Sequence, residues 1–334
     1  MQNIINGLPI AAVILLLAVG FAFLVKGADF FVEGSSSIAK KLKVPPIIIG
    51  LTIVAMGTSL PETAVSVTAS LVQNNELAVS NVVGSNIFNL MFVIGVCSIL
   101  TPIMVQKATV VRDIPLSLGC ALFLLVLGVS GLGDKTGMTL GHADGVIFLI
   151  VFAGYIFTMV RSAMKARAAG QKVEIEGVEE CDNMKELSYG KSILFLIVGA
   201  AAIAFGGDLT VDTASRIAIE LGMSQTLVGL TIVSIGTSLP ELVTSVVAAR
   251  KNEVDMAVGN AVGSNIFNIL MVLGISSAIS PVALIRENLI DIVLLMVFSV
   301  MVWIFAGTRK KIERKEGIIM VVVYLVYCAY IIAR

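Results

Sequence analysis

The chain has 334 residues, 57% hydrophobic and 14% charged, with mean hydropathy +0.99 and a formal net charge of +0. Soluble globular domains carry about 45–50% apolar and about 25% charged residues, so this is the composition of a membrane protein, and the missing basic excess argues against a nucleic-acid partner. The one histidine, His142, excludes a poly-histidine metal centre; Cys97, Cys120, Cys181 and Cys328 form no CxxC pair; and the lack of a GxxxxGK[ST] run excludes ATP-driven pumping by a phosphate-binding loop.

A membrane-crossing helix takes about 20 apolar residues. Ten stretches qualify, at roughly 8–33, 44–73, 77–100, 114–133, 144–162, 191–213, 225–249, 255–279, 289–307 and 317–333. The first has no basic residue ahead of Lys26 and reads as a span rather than a cleaved leader. Lysine and arginine accumulate in cytoplasmic loops. Of the 23 such residues, 18 fall in loops that follow odd-numbered spans, against Lys135, Arg216 and Arg286 in the even ones. The odd loops are therefore expected in the cytoplasm and both termini outside. The charged stretch 163–190 reads as a solvated cytoplasmic linker between a half at 1–162 and a half at 191–334.

The halves align at a constant offset of 179: GLTIVAMGTSLPE (50–62) on GLTIVSIGTSLPE (229–241), VGSNIFN (83–89) on VGSNIFN (262–268), Asn81 on Asn260 and Asp29 on Asp208. Five spans per half is an odd number, so the second half enters the membrane from the opposite face. The expected fold is all-α and integral to the membrane, with ten transmembrane helices as two inverted five-helix repeats. Transporters built this way place their sites at the midplane, on interrupted helices of each half.

In GTSLPE, Pro61 cannot donate to the carbonyl of Gly57, and Gly57 loosens the chain there, so a helix break with free carbonyls is expected. Thr58 and Glu62 share a face, with Ser59 beside them. Gly236, Thr237, Ser238, Pro240 and Glu241 repeat the arrangement. On spans 3 and 8, Asn81, Ser85 and Asn89 form a polar stripe that Asn260, Ser264 and Asn268 repeat. Two intramembrane glutamates give a local charge of about −2, matched to one divalent cation; the all-oxygen donor set favours calcium over magnesium and also suits sodium. Asp29 and Asp208 read as interfacial acids, His142 as a surface residue and Trp303 as an interfacial anchor.

These duplicated motifs, GTSLPE at 57–62 and 236–241 and GSNIFN at 84–89 and 263–268, resemble the alpha-repeats of the sodium/calcium exchanger (cation/calcium antiporter) superfamily, over essentially the whole chain. The resemblance implies a calcium/sodium antiporter of a bacterial inner membrane with no enzymatic activity and no cofactor; its ligands are the transported ions and its surroundings membrane lipid, with no protein partner expected. It implies a diamond-shaped site. Glu62 and Glu241 match the main calcium-binding carboxylates, and Asn89 and Asn268 the other two corners. Thr58, Ser59, Thr237, Ser238, Ser85 and Ser264 match hydroxyl or backbone ligands of sodium or calcium, and Ala55 and Ser234 match carbonyl donors. It also implies that spans 1 and 6 are long tilted helices that slide across the other eight. One departure stands out: many relatives carry Asp at one corner, whereas both corners here are amides, which argues against potassium co-transport. On the residues alone, calcium/proton antiport through protonation of the glutamates, or a calcium-permeable channel, remain the alternatives.

Overall fold

The computed structural model describes residue 5 and residues 7–71, 75–130, 138–168, 187–223, 232 and 234–333. In chain order these form α1 (Ile10–Leu42), α2 (Pro46–Thr58), α3 (Leu60–Leu71), α4 (Ala78–Leu100), β1 (Ile103–Met104), α5 (Thr109–Ser130), β2 (Thr139–Leu140), α6 (His142–Ala168), α7 (Tyr189–Glu220), α8 (Leu239–Arg250), α9 (Val254–Ile279), β3 (Val282–Ala283), α10 (Arg286–Arg309), β4 (Lys311–Ile312) and α11 (Arg314–Ala333). Eight of the helices are long and apolar enough to cross a membrane, and α2 with α3 adds a ninth span bent by 49°. The remaining expected span, the seventh at 225–249, is represented by one turn at Ser234–Gly236 followed by α8; residues 224–231 and 233 lie outside the described residues. Helix α6 continues through Ala168, into the stretch read as a linker, of which residues 169–186 also lie outside the described set.

Burial sorts the helices. In α4 and α9, 78% of the apolar window is enclosed, against 22% in α1 and α11. The two halves thus place equivalent helices, each carrying a GSNIFN motif, at the centre. Ile87, Met91, Ile266 and Val272 fill the surrounding core.

Helix α1 runs for 33 residues and stops at Lys43, whose left-handed backbone (φ 54°) turns its N–H back to the carbonyls of Ala39 and Lys40. Lys40 and Lys41 in its last turn complement the negative end of the helix dipole. It packs antiparallel on α7 along glycines seven residues apart. A Cβ on Gly27 would lie 2.9 Å from the backbone nitrogen of Ile203, and one on Gly199 would lie 2.7 Å from that of Phe31. In lipid, where apolar burial does not drive helices together, such close backbone approach supplies the packing energy.

Two short antiparallel strand pairs exchange partners between halves. β1 pairs with β4 (Ile103 opposite Ile312), and β3 pairs with β2 (Val282 opposite Leu140). The first pair joins the loops after spans 3 and 9, the second the loops after spans 4 and 8. Each pair therefore unites loops of the same parity, as a membrane topology with alternating faces requires.

Among the described residues, π-helical turns interrupt the spans at Gly50–Val54, Phe88–Val93, Thr109–Asp113 and Asn268–Val272. A widened turn frees carbonyls from the α-helical ladder, and side chains take them up. Buried Tyr155 donates to the carbonyl of Leu51 at 3.0 Å, and the indole N–H of Trp303 donates to that of Val110 at 2.7 Å. Trp303, read from sequence as an interfacial anchor, thus also serves this carbonyl.

Candidate ion-binding site

The helix breaks fall at Ser59 (φ −84°, ψ 13°) and Ser238 (φ −94°, ψ 5°), not at the glycines. Gly57 is itself helical, within α2, and Gly236 closes the turn before Ser238. Their role corrects the expectation of a loosened backbone: a Cβ on Gly57 would lie 2.5 Å from the ring of Phe31 on α1, and one on Gly236 would lie 2.1 Å from a methyl of Val211 on α7. The glycines make room for the long helices. Pro61 and Pro240 follow the break as the second residue of α3 and α8, where a missing N–H costs nothing.

Glu62 and Glu241 then occupy the first turns of α3 and α8, at the positive ends of two helix dipoles. Both are fully buried. Each is held by the opposite repeat. Ser238 Oγ donates to Glu62 Oε1 at 3.0 Å, and Ser59 Oγ donates to Glu241 Oε1 at 2.9 Å. Ser85 Oγ lies 2.9 Å from Ser238 Oγ, and Ser264 Oγ 3.5 Å from Glu241 Oε1.

Asn81 and Asn260 tie the surrounding backbone. Asn260 Nδ2 donates to Ser245 Oγ (2.9 Å) and to the Glu241 carbonyl (3.4 Å), while its Oδ1 accepts from Thr58 Oγ1 at 3.0 Å. Asn81 mirrors this with Ser66 (3.0 Å), the Glu62 carbonyl (3.4 Å) and Thr237 (3.4 Å). The carbonyl of Ala55 accepts the N–H of Ser59 at 3.1 Å and lies 3.4 Å from Thr58 Oγ1. Ser234 lies in the turn before Ser238, but its side chain is outside the described residues.

With these bonds made, four buried oxygens on the predicted carboxylate and corner-amide residues make no hydrogen bond, Glu62 Oε2, Glu241 Oε2, Asn89 Oδ1 and Asn268 Oδ1; the other buried oxygens without one among the described residues are hydroxyls and the carboxylates of Asp113 and Asp144. The four form two pairs related by the 179-residue repeat. Among the described residues no lysine or arginine forms an ion pair with either glutamate. Two buried carboxylates without a counter-charge are costly, at several kcal/mol each, and buried oxygen donors of this kind suit a hard cation.

The remaining predicted residues lie apart. Asp29 pairs with Lys251 at 3.3 Å and Lys26 at 3.8 Å, and Asp208 is exposed on α7. The Nδ1 of His142, at the surface, lies 2.9 Å from the carbonyl of Ala278. Sequence reasoning passed over Ser66, Ser245, Asn86 and Asn265. All four recur at the 179 offset, the one signal that marks them, but none falls on the i, i+4, i+8 stripe.

A profile of the family described as "Sodium/calcium exchanger protein" matches residues 12–161 and 191–333. The chain is 33% identical over 337 residues to the sodium/calcium exchanger MaX1 of Methanosarcina acetivorans, covering 94% of this chain and 96% of the relative. It is 35% identical over 296 residues to the inner membrane protein YrbG of Escherichia coli, covering 86% and 88%. A solved structure of the sodium-calcium exchanger NCX_Mj, soaked with sodium and strontium, superposes with a TM-score of 0.80 at 32% identity, over 96% of this chain and 99% of that one. With its duplicated motifs, its all-helical membrane fold and a match along nearly its whole length, the chain belongs to the sodium/calcium exchanger protein family.

Proposed function

We propose that this chain is a secondary antiporter that exchanges calcium for sodium by alternating access and extrudes calcium, with its ions held between Glu62, Glu241, Asn89 and Asn268. The observation that carries this reading is the set of four unpartnered oxygens, one from each of these buried side chains. Thr58, Ser59, Thr237, Ser238, Ser85 and Ser264, with the carbonyls of Ala55 and Ser234, complete an all-oxygen cage. One calcium or a set of sodium ions neutralises its charge of about −2. Empty, it holds two bare carboxylates whose desolvation resists passage between faces, and that resistance couples the two fluxes.

The helical halves 1–162 and 191–334, joined by the 163–190 linker, act as inverted repeats about the site. The bias of lysine and arginine supports a cytoplasmic placement of that linker and external termini, in a bacterial inner membrane.

The test is calcium uptake into everted vesicles, with sodium, proton and potassium gradients varied one at a time. A sodium gradient is expected to drive uptake and potassium to be without effect. Uptake driven by pH alone would overturn sodium coupling in favour of protons. Flux with no counter-ion would identify a channel.

A further inference from the structure

Four asparagines, two of them outside the cage, close a ring across the pseudo-two-fold axis. Asn86 and Asn265 are fully buried and face one another. Asn265 Nδ2 donates to the backbone carbonyl of Asn86 at 3.1 Å, and Asn86 Nδ2 donates to that of Asn265 at 3.2 Å. Their side-chain oxygens then accept from the cage. Asn89 Nδ2 donates to Asn265 Oδ1 and Asn268 Nδ2 to Asn86 Oδ1, each at 3.2 Å.

The two ends of an asparagine amide have nearly the same shape, so nothing in packing alone decides which end faces an ion. Here the decision propagates from the backbone. A carbonyl can only accept, so the end of Asn265 that meets the Asn86 carbonyl must be NH2. Its other end is therefore an acceptor, and the end of Asn89 that meets it must be NH2 in turn. The oxygen of Asn89 is left aimed away, unpartnered and buried, as is that of Asn268 by the mirrored chain. An NH2 group in either place would set partial positive charge against a cation.

We propose that Asn86 and Asn265 are positioning residues that force the amides of Asn268 and Asn89, respectively, to present oxygen to the ion. This rests on the reading of Asn89 and Asn268 as ligands. The wiring is crosswise: Asn265 acts on Asn89 and leaves Asn268 alone, because the backbone carbonyl that orients Asn86 survives any change of the Asn265 side chain.

The experiment is equilibrium binding of calcium alone to the purified full-length chain in detergent, with thermal midpoints recorded for each variant. Removing a partner that orients a metal ligand typically weakens affinity about 10- to 100-fold, and that range is expected for Asn265→Leu and Asn86→Leu. The decisive readout is a pair of double-mutant cycles. Asn265→Leu is expected to add little in an Asn89→Ala background and its full effect in an Asn268→Ala background, with the mirror result for Asn86→Leu. Loosening of the fold would weaken binding equally in both backgrounds, and that outcome overturns the proposal. Unchanged affinity in Asn265→Leu, with Asn89→Ala impaired, overturns it too but leaves the site standing. Unchanged affinity in Asn89→Ala refutes the site itself. Should Asn265→Leu not yield folded protein, Asn265→Ala carries the same cycles.

Discussion

Glu62→Gln separates the charge of the cage from its shape. The glutamine retains an oxygen for the hydroxyl of Ser238, 3.0 Å away in the parent. It replaces the unpartnered Oε2 by an NH2 and halves the charge of the site. Removing one member of a buried opposite-charge pair costs about 3–5 kcal/mol, here the pair of carboxylate and calcium. At about 1.4 kcal/mol per factor of ten, calcium affinity should fall by about two to four orders of magnitude, and transport should nearly vanish. A ligand present at 100 times its dissociation constant stabilises the protein that binds it by about 2.7 kcal/mol. At the same calcium concentration, a variant weakened 100-fold would gain about 0.4 kcal/mol by the same relation. The ion-free proteins should move the other way, since Glu62→Gln relieves repulsion between two buried acids and should melt above the parent. Thermal unfolding in detergent, with calcium and with chelator, reads both. A Gln variant that keeps the parent's calcium-induced shift, or melts below the parent when ion-free, refutes the assignment of the bare charge to this pair.

Ser59→Ala and Ser238→Ala each remove a hydroxyl donated across the axis to a glutamate, a bond to a charged group of about 1.5–3 kcal/mol. The half-saturating calcium concentration in vesicle uptake should rise by roughly tenfold or more, and an unchanged value would show that these bonds do not shape the site. Gly199→Ala forces a Cβ to within 2.7 Å of the Phe31 nitrogen and should destabilise the α1–α7 seam by about 1–3 kcal/mol, seen as a lower unfolding midpoint. Tyr155→Phe strands the buried Leu51 carbonyl and should cost about 1–3 kcal/mol by the same measurement. In the loop before α9, burial raises the carboxyl of Glu253 above its ordinary value, against the pull of Ser36 and Lys40. Its contribution to stability is thus full below the ordinary glutamate value and lost as pH rises through the raised one; Glu253→Gln should flatten that fall in the unfolding midpoint.

Much of this was legible in the sequence because the repeat prints the same solution twice. Composition and span length lead to a helical membrane protein, and the 179 offset with five spans per half leads to an inverted pair. The offset identifies which residues are equivalent, but not which touch. That Ser238 serves Glu62 rather than Glu241 follows from how the two broken helices pack, and no spacing within one chain segment encodes it. The π turns were invisible for a related reason. Their hydrogen-bond register depends on partners such as Tyr155, 104 residues from Leu51. The stripe filter of i, i+4, i+8 kept Ser85 and Asn89 and discarded Asn86 between them, because a residue one step on points elsewhere on a straight helix. Asn86 reaches past the axis to its own repeat partner, an arrangement only a second helix can supply.

The crosswise bonding also constrains which parts can move. The proposed ligands sit on or beside α2, α3, α4, α8 and α9, and bonds cross between the halves: Ser59 with Glu241, Ser238 with Glu62, Thr58 with Asn260, Asn89 with Asn265. Shifting one half against the other would break these buried bonds together, at about 1–3 kcal/mol for each group left unsatisfied. Helices α1 and α7 are joined differently. They hold each other along a glycine seam and meet the broken helices through Phe31 against Gly57 and Val211 against Gly236, contacts of apolar side chains on a Cβ-free surface. Such contacts are not directional, and sliding over them leaves no polar group unpaired. Toward the C-terminal end of α1, Asp29 meets Lys251 in the loop before α9, whereas Ser37 meets Leu187 and Ser192 on the α7 side and so ties the moving pair together. The least costly route to alternating access therefore keeps the cage assembled and moves α1 with α7 across it, at the expense of ties such as that of Asp29 to Lys251.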